Sequence, residues 1–348
     1  MTEDLHDRAV VADTHNDLLM SVVERPPHRW AEFFRERWLP QLREGGVDIQ
    51  VLPVFVDDQF RPEGALRRTL RMIECAHAVA EGNPDHVRLC LDGDDIDAAL
   101  AQGQIALVLA LESAPGVDAD VELFRTLHRL GVRMASIAHW GRSALGDGSG
   151  EDATGSRLTG DGVEALRELE RLGVMFDISH LGAAGVAHVL ELASRPLIAS
   201  HSAARALRDH HRNLTDEQIR GVAATGGVIC VNFVPDFLAA EPERQTIDRI
   251  VDHIEHVIGL VGVEHVGIGP DFLREVAADI TPPCCDGGDY TGVALDASLT
   301  GLDGPAELPA LTAALLKRGL DERDIGAVLG GNVHRLFREQ LGRPGGAR

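Results

Sequence analysis

Eight short apolar runs recur along the chain, each closed by a turn and followed by a stretch of helical periodicity. That alternation constrains the fold more than any other feature. The runs fall at residues 9–12, 49–56, 105–111, 134–138, 174–178, 197–199, 228–231 and 266–268. Helix candidates lie at 63–80, 121–130, 162–172, 183–193, 215–224, 246–260 and 305–318. Asp120, Asp161 and Thr215 are placed to cap helix starts, and Gly131, Gly173 and Gly319 to stop helices. Strands alternating with helices make a parallel sheet joined by crossover helices. Eight such units fit a (β/α)8 TIM-type barrel, here one domain over residues 1–348 with a C-terminal helical extension. A doubly wound open sheet is the competing arrangement, but no Gly-x-Gly-x-x-Gly turn follows the first run. Residues 87–91 read as an additional strand, with a helix over 94–101 after it.

Composition narrows the function classes. Of 348 residues, 44% are hydrophobic and 25% charged, as in a globular protein with a sizeable core. Acidic residues outnumber basic ones, 55 to 33, for a net charge of −22. Such a chain repels phosphate backbones and anionic lipid surfaces, so neither nucleic acid nor membrane is an expected partner. No basic-then-apolar leader opens the sequence, and no apolar run reaches the ~18–20 residues of a membrane span. The five cysteines are odd in number and fit no zinc-ribbon spacing. They read as free thiols in a reducing cytoplasm, with Cys284 and Cys285 an ordinary loop pair.

The chemistry gathers where the apolar runs end. The first is followed by Asp13-Thr14-His15-Asn16-Asp17, and the third ends at Glu112. The fourth leads to His139, the fifth to Ser179-His180, the sixth to Ser200-His201, and the eighth to Gly269-Pro270-Asp271. In a parallel barrel these ends meet on one face, where active sites are built. Imidazole and carboxylate without thiolate suit a catalytic zinc or a similar divalent ion. His15 and Asp17, two apart in an extended segment, point to the same side. The candidate ligands exceed what one catalytic zinc uses, which favours two metals sharing a carboxylate. The only lysine is Lys317, in a late helix, so Glu112 is the natural bridge. Asp13 reads as a support for its own loop, and Asp177 as a partner for a ligand histidine. The acidic, Gly-rich stretch 147–152 lacks a full calcium-loop pattern and reads as a mobile loop over the site.

These stretches resemble the membrane (renal) dipeptidase family of binuclear zinc peptidases, within the amidohydrolase-type barrel superfamily. The similarity also takes in Arg212-Asn213, Val231-Asn232-Phe233 and Gly330-Gly331-Asn332, and so runs nearly end to end. It implies that His15 and Asp17 bind one zinc, His180 and His201 the other, and that Glu112 bridges the two. It further implies that His139 contacts the scissile carbonyl or its oxyanion, Arg212 binds substrate oxygens, and Asp271 transfers a proton near the metals. The chain departs from the family pattern at Val234, at Leu273 and over Trp140-Gly141-Arg142-Ser143.

The expected function is a cytoplasmic zinc-dependent dipeptidase with a small dipeptide-like substrate, a D-residue at its C-terminal position included. A hydroxide held between two zinc ions is the nucleophile that the resemblance implies, and a homodimer is the assembly it suggests. Cleavage of an N-acyl amino acid or another small amide is the alternative on the same machinery. A non-catalytic binding protein that keeps the barrel is the alternative of another class, and the complete ligand set weighs against it.

Overall fold

A computed structural model describes residues 2–280 and 299–343; Cys284 and Cys285 lie outside the described residues. Among the described residues nine parallel strands form the sheet: β1 (Val11–Asp13), β2 (Val47–Val54), β3 (Val87–Leu89), β4 (Ile105–Leu111), β5 (Val132–Ala135), β6 (Met175–Phe176), β7 (Ile198–Ser202), β8 (Val228–Val231) and β9 (Val266–Ile268). Eight of them run in the order β6-β5-β4-β2-β1-β9-β8-β7. Asp177, just past β6, bridges in parallel to Ile198 of β7, and the Ile178 N–H donates to the Ile198 carbonyl at 2.9 Å. This link joins the two ends of the sheet, and the architecture is a (β/α)8 barrel. β3 is the additional strand. It pairs with Ile105–Leu107 of β4 before β5 takes over the same edge at Leu109.

The side-chain period of two decides what faces where. Along β4, Ile105, Leu107, Leu109 and Leu111 belong to the layer between sheet and helices, while Ala106, Val108 and Ala110 belong to the barrel interior. Small inward residues suit a narrow barrel, and large outward ones fill the gap to the crossover helices. The C-terminal extension has a definite place. Val333, Leu336 and Phe337 of the helix Asn332–Gln340, with Leu341, join the interior set that includes Ile49, Val51, Val108, Met134 and Cys230. Asn332 donates its amide to the carbonyls of Val263 and Val266, at the start of β9. The helix therefore closes the end of the barrel where the strands begin. A Cβ at Gly330 would lie 2.4 Å from the Val10 carbonyl oxygen, so this approach requires glycine.

Three local expectations are corrected. Asp161 does not cap its helix; the helix Gly160–Leu172 starts two residues earlier than expected, with the Thr159 hydroxyl accepting from the Gly162 N–H. Asp120 does not cap either, because the helix it precedes begins only at Leu123. β7 runs through Ser200-His201-Ser202, beyond the apolar run that marks it, because these polar side chains find buried hydrogen-bond partners. Thr215 does cap, in a reciprocal capping box with Gln218. No helix among the described residues is long and apolar enough to cross a membrane.

Candidate metal centre

The residues that follow β1, β4, β5, β6 and β9, together with His201 of β7, converge at the opposite end of the barrel. Local hydrogen bonds set each of them. Asp13 Oδ1 accepts the His15 N–H at 2.9 Å, which makes Asp13 the loop support expected of it. Asn16 Oδ1 accepts the Leu18 N–H, and the helix Leu18–Val23 follows. The Asp271 N–H donates to the His15 carbonyl, tying the loops after β1 and β9 together. His180 and Asp271 hold positive φ values of 71° and 60°, and Ser113 and Ala114, next after Glu112, do so too. Left-handed backbone at non-glycine residues is strained and concentrates at functional sites.

Glu112 is the hub. Its Oε2 lies 3.6 Å from His15 Nε2, while its Oε1 lies 2.9 Å from His180 Nε2, 3.5 Å from His139 Nε2 and 3.8 Å from His201 Nε2. His15 Nε2 is 3.6 Å from Asp17 Oδ2 and 3.9 Å from Asp271 Oδ1, and His180 Nε2 is 2.8 Å from His201 Nε2. Donor atoms group as His15, Glu112 and His201; as Glu112, His139 and His180; and as His15, Asp17 and Asp271. The five residues expected to ligate metal, His15, Asp17, Glu112, His180 and His201, are thus brought together, and His139 and Asp271, expected in other roles, stand within the same groups.

The electrostatics fit a cation. Burial pushes Glu112 up to about 8 and Asp271 up to about 6, with the Asp17 charge adding to both and His15 opposing. Burial, reinforced by Arg212 and the neighbouring imidazoles, holds His139, His180 and His201 well below the usual histidine range. Burial pulls His15 down as well, but Glu112, Asp17 and Asp271 outweigh it and raise His15 to about 10. Crowded carboxylates facing neutral imidazoles whose lone pairs converge are the donor set a divalent ion neutralises. Asp17 Oδ1 and His180 Nδ1 are buried with no hydrogen-bond partner among the described residues.

Arg212 is buried beside this centre. Its Nη2 donates to the His201 carbonyl at 3.0 Å, its guanidinium lies 5.5 Å over the Phe237 ring, and its Nε has no partner among the described residues. Burial lowers it to about 10, against the pull of Asp271, Glu112 and Asp177, so it remains a cation at neutral pH. Trp140 and Val234 pack with Phe237 and against Leu273 in a separate apolar cluster. Three departures from the family pattern therefore sit in one place. The stretch 147–152 is tied in: the Ser149 N–H donates to the His180 carbonyl, and Asp152 Oδ1 accepts the Ala183 N–H at the start of the helix Ala183–Leu192.

Two groups carry weight that the sequence left unassigned. Asn232, buried after β8, donates to Asp271 Oδ2 at 3.4 Å and accepts the Val234 N–H. Ser200 lies between Asp177 and His201, with Oγ 2.5 Å from Asp177 Oδ2 and 2.7 Å from His201 Nδ1. The adjacency of Ser200 to a ligand candidate was the only signal available, since Asp177 stands 23 residues away.

A barrel with a His/Asp/Glu centre on the face where its strands end is the plan of a metal-dependent hydrolase. Residues 1–280 match the profile of Membrane dipeptidase (Peptidase family M19), and the chain belongs to that family. It is 31% identical over 283 residues to the dipeptidase verJ of Clonostachys rogersoniana, a match that covers 81% of this chain and 66% of that one. The chain thus spans just under two thirds of this relative's length. Among solved structures, that of dipeptidase AC, a metallopeptidase of family M19, superposes with a TM-score of 0.83 at 26% identity, covering 96% of this chain and 99% of that one. A metallopeptidase from Rhodobacter sphaeroides, liganded with a phosphinate mimic of the dipeptide L-Ala-D-Ala, superposes with a TM-score of 0.80 at 25% identity, with coverage of 96% and 99%.

Proposed function

We propose that this chain is a metal-dependent dipeptidase that cleaves small dipeptides, with two divalent ions, zinc by the chemistry of the donors, between its strand ends. Glu112 carries the reading, because its two carboxylate oxygens address separate groups of donors, His15 on one side and His180 with its neighbours on the other. On this reading His15 and Asp17 hold one ion, His180 and His201 hold the other, and Glu112 joins them. Nitrogen and oxygen donors without a thiolate suit catalytic zinc. When bound, such a pair polarises a carbonyl and makes water a nucleophile at neutral pH.

The chain's own groups do the rest. Arg212 grips the free carboxylate of the substrate with the N–H groups it has left, that of Nε among them, while one N–H of Nη2 stays on the His201 carbonyl. His139, kept neutral, offers an N–H to the carbonyl oxygen as negative charge develops there. Asp271, steadied by Asn232, takes the proton of the attacking water and delivers it to the departing amine. Likeness to the Rhodobacter protein extends the substrate class to dipeptides with a D-residue at the C-terminal position. The buried free thiols Cys75, Cys90 and Cys230 are in keeping with a cytoplasmic setting.

The test assays the zinc-replete protein against L-Xaa-L-Xaa, L-Xaa-D-Xaa and N-acyl amino acid panels, with elemental analysis of the same sample. The expected result is about two zinc ions per chain and turnover confined to free dipeptides. Turnover of N-acyl amino acids alone would move the function to small-amide hydrolysis. A single tight ion that survives Glu112→Ala would end the two-ion reading.

A further inference from the structure

We propose that Asp177 is a positioning residue that decides which nitrogen of His201 carries the proton, acting through the Ser200 hydroxyl; the inference rests on the reading of His201 as a metal ligand. Asp177 Oδ1 accepts two backbone N–H groups, from Ser179 and Ser200, both at 3.0 Å. Its Oδ2 lies 2.5 Å from Ser200 Oγ, which lies 2.7 Å from His201 Nδ1. Asp177, Ser200 and His201 are all buried. A hydroxyl has one proton to give. Ser200 Oγ also faces Ser179 Oγ at 3.3 Å, but the shorter, charge-assisted contact to the carboxylate takes that proton. Ser200 Oγ can then only accept from the imidazole. His201 is therefore protonated on Nδ1, and the lone pair of Nε2 faces Glu112 and His180.

His180 is held by other means. Its Nδ1 has no hydrogen-bond partner among the described residues, and its direction follows from a backbone at φ 71°. Of the two imidazoles that meet at 2.8 Å, among the described residues only His201 has its Nδ1 held from behind, by a hydroxyl that a carboxylate orients.

The variant Asp177→Asn separates this role from simple support. Its side-chain oxygen can still accept the two backbone N–H groups. Its amide, placed where Oδ2 was, donates to Ser200 Oγ, so the hydroxyl turns round and donates to His201 Nδ1. The imidazole proton is then forced onto Nε2, facing the metal centre. Without the hydroxyl this reversal has no route.

The test measures zinc affinity of the full, metal-stripped chain by competition with a chromophoric chelator, for the natural protein, Asp177→Asn, Ser200→Ala and the double variant. Asp177→Asn should weaken at least one ion by about 10–100-fold, as is usual when the partner of a ligating histidine is lost. Ser200→Ala should weaken it less, and adding Asp177→Asn to Ser200→Ala should cause no further loss. Unchanged affinity in Asp177→Asn, or the same factor lost in both backgrounds, would overturn the relay and leave Asp177 a support for the Ser179 and Ser200 backbone. A natural protein that binds no zinc would instead overturn the metal reading, and this proposal with it. Should Asp177→Asn fail to fold, Ser200→Thr, which keeps the hydroxyl, should bind zinc within about threefold of the natural protein while Ser200→Ala does not. Equal affinities in those two variants would overturn the relay.

Discussion

Two ends of one barrel both carry buried side chains and are built in opposite ways. At the end where the strands begin, Val333, Leu336, Phe337 and Leu341 meet Ile49, Val51, Val108 and Cys230, all fully buried and apolar. At the other end the buried set is His15, Glu112, His180, His201, Arg212 and Asp271. That end also carries the positive φ values of Ser113, Ala114, His180 and Asp271, and polar atoms of Asp17, His180 and Arg212 there have no partner among the described residues. Burial is therefore no measure of what a region contributes. The apolar end lowers the free energy of the fold, while the polar end raises it and is held in place by the rest of the barrel.

The contrast breaks most sharply under paired truncation. Phe337→Ala should lower unfolding stability by about 3–5 kcal/mol, the usual loss for emptying a close-packed aromatic site. Its folded fraction should still bind the natural complement of zinc. Glu112→Gln should remove the metals yet leave the metal-free protein at least as stable, by about 1 kcal/mol, because one of three crowded carboxylates is gone. Urea unfolding of metal-stripped samples compares the two. If Glu112→Gln costs as much as Phe337→Ala, the polar end is a structural core after all.

Arg212 tests whether the polar end is arranged for a ligand. Arg212→Ala should lower kcat/KM for a free dipeptide by about 1.5–3 kcal/mol, the range of a lost charge-assisted hydrogen bond. A rise in KM with kcat nearly kept would mean the contact is equally strong before and during reaction. The C-terminal amide of the same dipeptide should be affected much less. Equal losses on both substrates would place the guanidinium at the reacting carbonyl instead. No loss on either would reduce it to the prop beneath the His201 carbonyl, 3.0 Å away.

Strands were legible because each apolar run stops at a turn, and their ends named Glu112, His139, His180 and Asp271 directly. What escaped the sequence are pairings across distance. β7 is three polar residues longer than its apolar run because Asp177 and Ser179, on the neighbouring segment, satisfy Ser200 and His201. Thr159 rather than Asp161 caps its helix, a choice between two good capping residues that only the path of the chain decides. The helix Asn332–Gln340 reads as an extension, since its partners are spread over strands far apart in the chain. Trp140, Val234 and Leu273 look like unrelated departures until the loops after β5, β8 and β9 bring them into one cluster.

The smallest effect probes a histidine that belongs to neither end. His253, on the helix Ile247–Val261, accepts the Ala204 N–H on Nδ1 at 3.0 Å and faces the Leu238 carbonyl with Nε2 at 3.1 Å. Ala204 lies just past His201, so this residue fixes the exit of β7 from outside the site. Burial lowers His253 to about 4; the Leu238 carbonyl and Asp252 oppose the shift, while Arg249 and His256 add to it. In the unfolded chain the ring takes up a proton as pH falls through about 6.5, whereas in the fold it resists until about 4. Between those values proton uptake favours unfolding, so the contribution of the neutral ring is present above 6.5 and is lost on the way down. Between pH 7 and pH 5 the loss should be about 1–2 kcal/mol. His253→Gln keeps one acceptor and one donor but cannot be protonated, so its stability should fall by that much less over the same interval. Urea unfolding of both proteins at the two pH values, at constant ionic strength, makes the comparison. Parallel falls would show that His253 takes up its proton in place, and that the exit of β7 tolerates acid as well as the apolar end does.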